Sequence, residues 1–266
     1  NTWRNFTWMS GLTYSMNKNK IESLADNVIN PITGQLFSIP SLDMGGYADL
    51  RFILREGGSM GDLYSRTDLR RDANGAIYMD ESNNVYTQKI DNPDSYIKLG
   101  SVLPKGNLAW RNNFMWKNFH VGFMISARLG GVVFSRTQAI LDKFGVSEAS
   151  ADARDNGFVL INGNDRVNPE NWYTTVGSTA VPQYYTYSAT NVRLQEASIG
   201  YTIPRKWLAN VCDIKVSLIG RNLWMIYNKA PFDPEAVAST DNFYQGIDNF
   251  MMPSLRNVGF SLNFKF

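Results

Sequence analysis

The segment "PFDPE" (231–235) sets two carboxylates, Asp233 and Glu235, on either side of a proline. Paired carboxylates suit the acid and base of a glycoside hydrolase, and also suit oxygen ligation of calcium. No supporting ligand series surrounds them, so rigidifying a loop is the plainer role. "NGND" (162–165) resembles half of a calcium loop but continues into no further ligands and reads as a turn. "RRDANG" (70–75) also reads as a tight turn. His120 is the single histidine and Cys212 the single cysteine. That excludes most histidine catalysis, most zinc sites and any internal disulfide. There is no GxSxG, no P-loop and no CxxC. The expectation is a chain that is not an enzyme and carries no metal or cofactor. A net charge of +2 gives no reason to expect nucleic acid.

Binding is better represented than catalysis. "NPENWYTT" (168–175) and "PQYYTYS" (182–188) supply Trp172, Tyr173, Tyr184, Tyr185 and Tyr187. Aromatic faces beside amides suit stacking on sugar rings. They suit packing against a partner protein equally well. Self-packing of the loops is the third possibility, and composition does not separate the three. With Asp233 and Glu235, these rings are the candidate substrate or partner contacts.

The elements that position them are strands. Hydrophobic residues make up 44% of the 266, and charged residues 19%, below the roughly 25% of ordinary soluble domains. The apolar runs are too short for a helix to cross a bilayer, so a membrane protein of this sequence must be a barrel. Period-two alternation marks about eight strands, near 3–16, 48–56, 60–67, 107–117, 119–129, 191–203, 214–227 and 257–266. In "NVRLQEASIGYTI" the apolar parity changes near Glu196, and it slips again near Gly220, as β-bulges would produce. Arg51, Arg55, Arg111, Arg128 and Arg193 lie off the apolar parity and are candidates for a wet lumen. His120 shares that parity and reads as structural.

Short and long connections alternate along these strands. An up-and-down meander then places the short turns at one end and the long loops at the other, the asymmetry of outer-membrane barrels. Trp116, Phe119, Tyr201 and Trp207 fall near the short-turn end, and Tyr14, Trp224 and Tyr227 near the other. A soluble all-β enzyme or lectin is the rival, and segregated loops argue against it.

Several segments together resemble one family. They are "GDLYSRTDLRRDANGAI", "LGSVLPKGNLAWRNNFMWKNFHVGFMISARLGG", "NVRLQEASIGYTIPRKWL", "LIGRNLWMIYNKAPFDPE" and "MPSLRNVGFSLNFKF". The chain resembles the C-terminal part of SusC/RagA-type TonB-dependent outer-membrane transporters of Bacteroidetes. The resemblance implies an all-β transmembrane antiparallel barrel of about 22 strands with a plugged lumen, this chain giving about the last eight. Residues 1–266 would be its C-terminal barrel segment, without a plug. The chain opens on "NTWRNFTWMSG" inside a strand, so it is expected to be a piece of something longer. Implied partners are the rest of the barrel, outer-membrane lipid, a SusD-like surface lipoprotein and, through missing N-terminal parts, TonB-ExbB-ExbD. Implied function is uptake of an oligosaccharide or peptide; a scaffold holding surface lipoproteins without transport is the alternative. Val258, Phe260, Leu262, Phe264 and Phe266 resemble the family's terminal assembly signal and closing strand.

Overall fold

The computed structural model describes residues 2–3, 5–178, 181–239 and 244–266. Its largest element is a seven-stranded antiparallel sheet whose neighbours follow chain order. After the two-residue strand Thr2–Trp3 come β1 (Phe6–Ser15), β2 (Gly106–Trp116), β3 (Phe119–Leu129), β4 (Asn191–Ile203), β5 (Asp213–Asn228) and β6 (Asn257–Lys265). The apolar side chains of this wall lie open: Phe260 is 79% exposed. Lipid on that face is the environment that makes such a surface stable.

The register keeps one face apolar from strand to strand. Trp8 pairs with Phe114, and Leu12 with Trp110. Val121 pairs with Ile199, which pairs with Leu218, which pairs with Phe260. The rings form a ladder: Trp8 stacks on Phe114 at 6.1 Å, Phe114 on Phe123 at 6.2 Å, and Phe119 meets Tyr201 edge-on at 4.8 Å. Such cross-strand aromatic pairs stabilise a sheet beyond their burial. The parity changes expected near Glu196 and Gly220 are bulges. Gln195 has no partner position between Leu194 and Glu196, and residues 222–223 are skipped opposite it. Asn222 takes the turn with φ of 50°, a conformation asparagine tolerates. Without these insertions every side chain beyond them would swap faces.

Residues 117–118 and 204–212 are the short links. Residues 16–105, 130–190 and 229–256 are the long ones, and they fold together into a body at the other end. Here two expectations are corrected. The segments near 48–56 and 60–67 are not wall strands. Leu50–Arg55 and Asp62–Ser65 belong to a four-stranded sheet with Ser41–Tyr47 and Ile97–Ser101, inside the first long connection. Half-buried alternation is the same in lipid and over a protein core. The short-long alternation survives because both strands fall within one long link.

The loop body has an apolar core of its own. The first connection contributes Leu50, Leu63, Leu69 and Val102, the second Phe134, Trp172, Val176 and Tyr185, the third Ile247. Val132–Ser135 joins them, pairing with Thr186–Ser188 and, in parallel, with Ile247–Asp248. Three helices follow it: α1 (Arg136–Lys143), α2 (Glu148–Asn156) and α3 (Pro169–Ser178). Ser135 and Ser147 cap α1 and α2 through their side chains, and Gly157 closes α2 at φ 79°. A Cβ on Gly177 would lie 2.6 Å from the Ala139 carbonyl oxygen, so glycine there lets α3 close on α1.

Phe134 is fully buried where the connections meet. Phe134→Ala is expected to destabilise the loop body by about 3–5 kcal/mol. Limited trypsin digestion across a urea series would show cleavage in 16–105 and 130–190 at lower urea. The wall strands should stay protected in detergent.

Candidate functional site

A buried cluster of charge lies where the loop body meets the polar face of the wall. Arg193 lies between apolar Val192 and Leu194, so it points to the polar face, where the third connection covers it. Its guanidinium is 3% exposed and ion-paired with Asp233 at 2.9 Å and Glu235 at 3.3 Å. Its Nε donates to Asn191 Oδ1 at 3.1 Å. Asn191 Nδ2 in turn donates to Glu235 Oε1 at 3.2 Å. The other Asp233 oxygen accepts the backbone N–H of Ser254 at 3.1 Å and the Ser254 hydroxyl. Asn222, on its bulge, donates to the Ser254 carbonyl at 2.9 Å. One guanidinium therefore ties β4, the bulge of β5, the "DPE" turn and the approach to β6.

Burial pushes the Asp233 carboxyl up, but the bonds from Ser254 and Arg193 outweigh it and hold it below the usual carboxylate range. Asp233 is thus an ionised structural partner with its oxygens committed. Its expectation as a ligand contact is corrected on that ground. Glu235 is 40% exposed and also lines a cavity of about 320 Å³ with Ser15, Asn107, Ser126, Arg128 and Gln195.

The remaining candidates divide. Arg111 is on the polar face, opposite Gly11 and Met124, with Nη2 3.7 Å from the Met124 sulfur. Arg128 donates to the Val102 carbonyl at 2.8 Å, under the loop body. Arg51 and Arg55 are corrected, since both lie in the loop body. Arg51 pairs with Asp43 at 2.9 Å, and Arg55 lies over the Tyr64 ring and donates to the Pro93 carbonyl. His120 bonds the Thr202 hydroxyl oxygen at 2.9 Å.

The aromatic loops are mostly core. Trp172 and Tyr185 are buried, which overturns their expectation as contacts: the first meets Tyr184 edge-on at 5.4 Å. Burial, with Asp142 close by, pushes the Tyr185 phenol far up and keeps it protonated. Tyr173, Tyr184 and Tyr187 are half-buried. Tyr187 packs edge-on against Phe232 at 5.6 Å, and burial pushes its phenol up to about 12. Val258, Phe260, Leu262 and Phe264 share the apolar face of β6, and Phe266 follows at 84% exposed.

Sequence reasoning did not find the roles of Asn191, Asn222 and Ser254. The available signal was indirect: an arginine inside an apolar strand stretch needs a counter-charge, and "DPE" is the acidic turn that follows β5.

The comparisons bear on the whole chain. No family model matches. A TonB-dependent receptor P3 of Formosa agariphila is 26% identical over 99% of this chain and 27% of its own length. Solved structures of the RagAB peptide importer in its closed-closed and open-open states superpose on all of it. Their TM-scores are 0.65 and 0.66 at 16% and 14% identity, over 28% and 27% of those chains. The chain is similar throughout to a SusC/RagA-type TonB-dependent receptor. This bears out the resemblance read from its motifs and the fold of an outer-membrane β-barrel segment. The segment spans about a quarter of the length of the relatives it matches.

The arginine tie is testable. Arg193→Met strands two carboxylates, one of them buried, and is expected to destabilise by about 3–5 kcal/mol. Adding Asp233→Leu to that variant should recover much of the loss in a double-mutant cycle. Because the Asp233 carboxyl is depressed in the folded state, its contribution is complete above the unfolded value near 3.9. It is lost as pH falls through the lower folded value. Pepsin cleavage of 229–256 should rise below about pH 4, and Asp233→Asn should remove that acid-dependent step.

Proposed function

We propose that residues 1–266 form the C-terminal barrel segment of a TonB-dependent importer of a nutrient, an oligosaccharide or a peptide. The observation that carries this reading is the match to a TonB-dependent receptor along 99% of the chain. The polar face of the wall is the lumen, with Arg111, Arg128 and the Glu196–Arg221 pair at 3.3 Å on it. The loop body covers the outer end of that face, and substrate arrives past it. β6 has a wall neighbour on one side among the described residues. An unpaired edge is strongly unfavourable in lipid. The rest of the same barrel pairs with it, and Val258, Phe260, Leu262, Phe264 and Phe266 mark it for assembly.

Drive comes from TonB-ExbB-ExbD through parts outside this chain. A SusD-like surface lipoprotein closes over the loops. Supporting this, the hairpin of Ala25–Ile29 and Leu36–Ile39 carries Ile29, Ile32 and Leu36 at its tip, with Ile32 92% exposed. Exposed apolar patches of this kind mark protein contacts.

Uptake tests the reading. Cells lacking the full-length receptor should lose accumulation of a fluorescent peptide or oligosaccharide pool. Collapsing the proton gradient should stop uptake in the parent strain without stopping surface binding. Gradient-independent binding with no uptake would favour the rival reading, a scaffold that holds lipoproteins without transport. Ile29→Asp with Ile32→Asp is expected to cut lipoprotein co-purification about tenfold, from the apolar burial lost.

A further inference from the structure

Away from the wall, the three helices of the second connection enclose a cavity of about 350 Å³. Asp142 and Lys143 at the end of α1, Phe144, Arg154 on α2, and Glu170 and Tyr173 on α3 line it. The buried Asp142 carboxylate already accepts the Gln138 amide at 2.8 Å and belongs to the body. The other charges are different. Lys143, Arg154 and Glu170 are exposed, and among the described residues none is in an ion pair. Arg154 gives one Nη to the Gly145 carbonyl at 2.6 Å, which fixes the guanidinium at the cavity and leaves its other N–H groups to donate. Lys143 Nζ lies 5.6 Å from the Phe144 ring centre. Phe144 itself is 69% exposed, an aromatic left at the mouth rather than in the core.

We infer that this cavity is a binding site for a small zwitterion with a free ammonium and a free carboxylate, such as a short peptide. Two cations reach for the carboxylate, with Arg154 held in place before binding. Glu170 takes the ammonium. Phe144 covers an apolar side chain between them. The four charges of the lining sum to zero, so a ligand of net charge gains nothing from the site as a whole. A neutral sugar would stack on Phe144 but would leave the cations and Glu170 without counter-charges. The volume fits two or three small residues, at the low end of small-molecule sites. The inference stands apart from the import reading, because the cavity is outside the wall.

The test uses the full-length receptor in detergent with a reporter beside the cavity. A trifluoromethyl group is placed on a cysteine at Val146, which is 67% exposed, in a Cys212→Ser background. Fluorine NMR then follows titration with trialanine, with N-acetyl-trialanine amide and with maltotriose. Trialanine should give a saturable shift with Kd of about 1–10 mM, from a few charge-assisted bonds at a wet site. The capped peptide should bind at least about tenfold more weakly, as should trialanine to Glu170→Gln or Arg154→Gln. No saturable shift, or equal response to the capped peptide or to maltotriose, overturns the inference. The three ligand arms share one labelled background, so the differences among them cannot come from misfolding of the Glu170 or Arg154 variants.

Discussion

A sheet one layer thick has no core, and the rest of this structure follows from that. The inner wall strands β2 to β5 satisfy their backbones through a neighbour on each side, as a lipid-spanning sheet must. Its side chains, however, pack on nothing of their own. Order across the wall comes from register: the apolar parity of one strand meets that of the next, and rings bridge the gaps. A single slipped residue would put charge into lipid and rings into the lumen. The two bulges therefore matter more here than they would in a sandwich, where the second sheet also holds register.

Packing energy is instead concentrated at one end. The three long connections supply a mixed α/β core, with Phe134 and Ile247 joined through a parallel strand pair. The Arg193 ion pairs fasten that core to the wall where the wall is irregular. The bulge of β5 brings Asn222 to the Ser254 carbonyl. Arg193 and Asp233 then bond around the same point. Buried ion pairs add little stability compared with apolar packing of equal volume. What this one supplies is a fixed position for the turn relative to the strands.

Much of the wall was legible in sequence, because period two is strict where one face meets lipid. Val258 to Phe266 and Val121 to Ile125 read correctly from alternation alone, and so did both phase changes. The segments 48–56 and 60–67 read as the same kind of strand. Alternation records that one face is buried and not what buries it. The aromatic loops failed for a related reason. Trp172 and Tyr185 are the rings a binding surface would need, and they are also the rings a small body needs for a core. Asp233 and Glu235 read as a carboxylate pair because their partner lies forty residues earlier by sequence. Only the closed register brings Arg193 to them.

The shared core of the loop body has an evolutionary consequence. In a protein whose surface loops are independent, each can drift or be exchanged without regard to the others. Here residues from all three connections bury one another, so a change of shape in one must be matched in the other two. Diversification of such a protein should proceed by replacing the connections as a set. A chimaera that borrows a single connection from a distant relative would inherit a mismatched interior, whatever new specificity its outer residues carried.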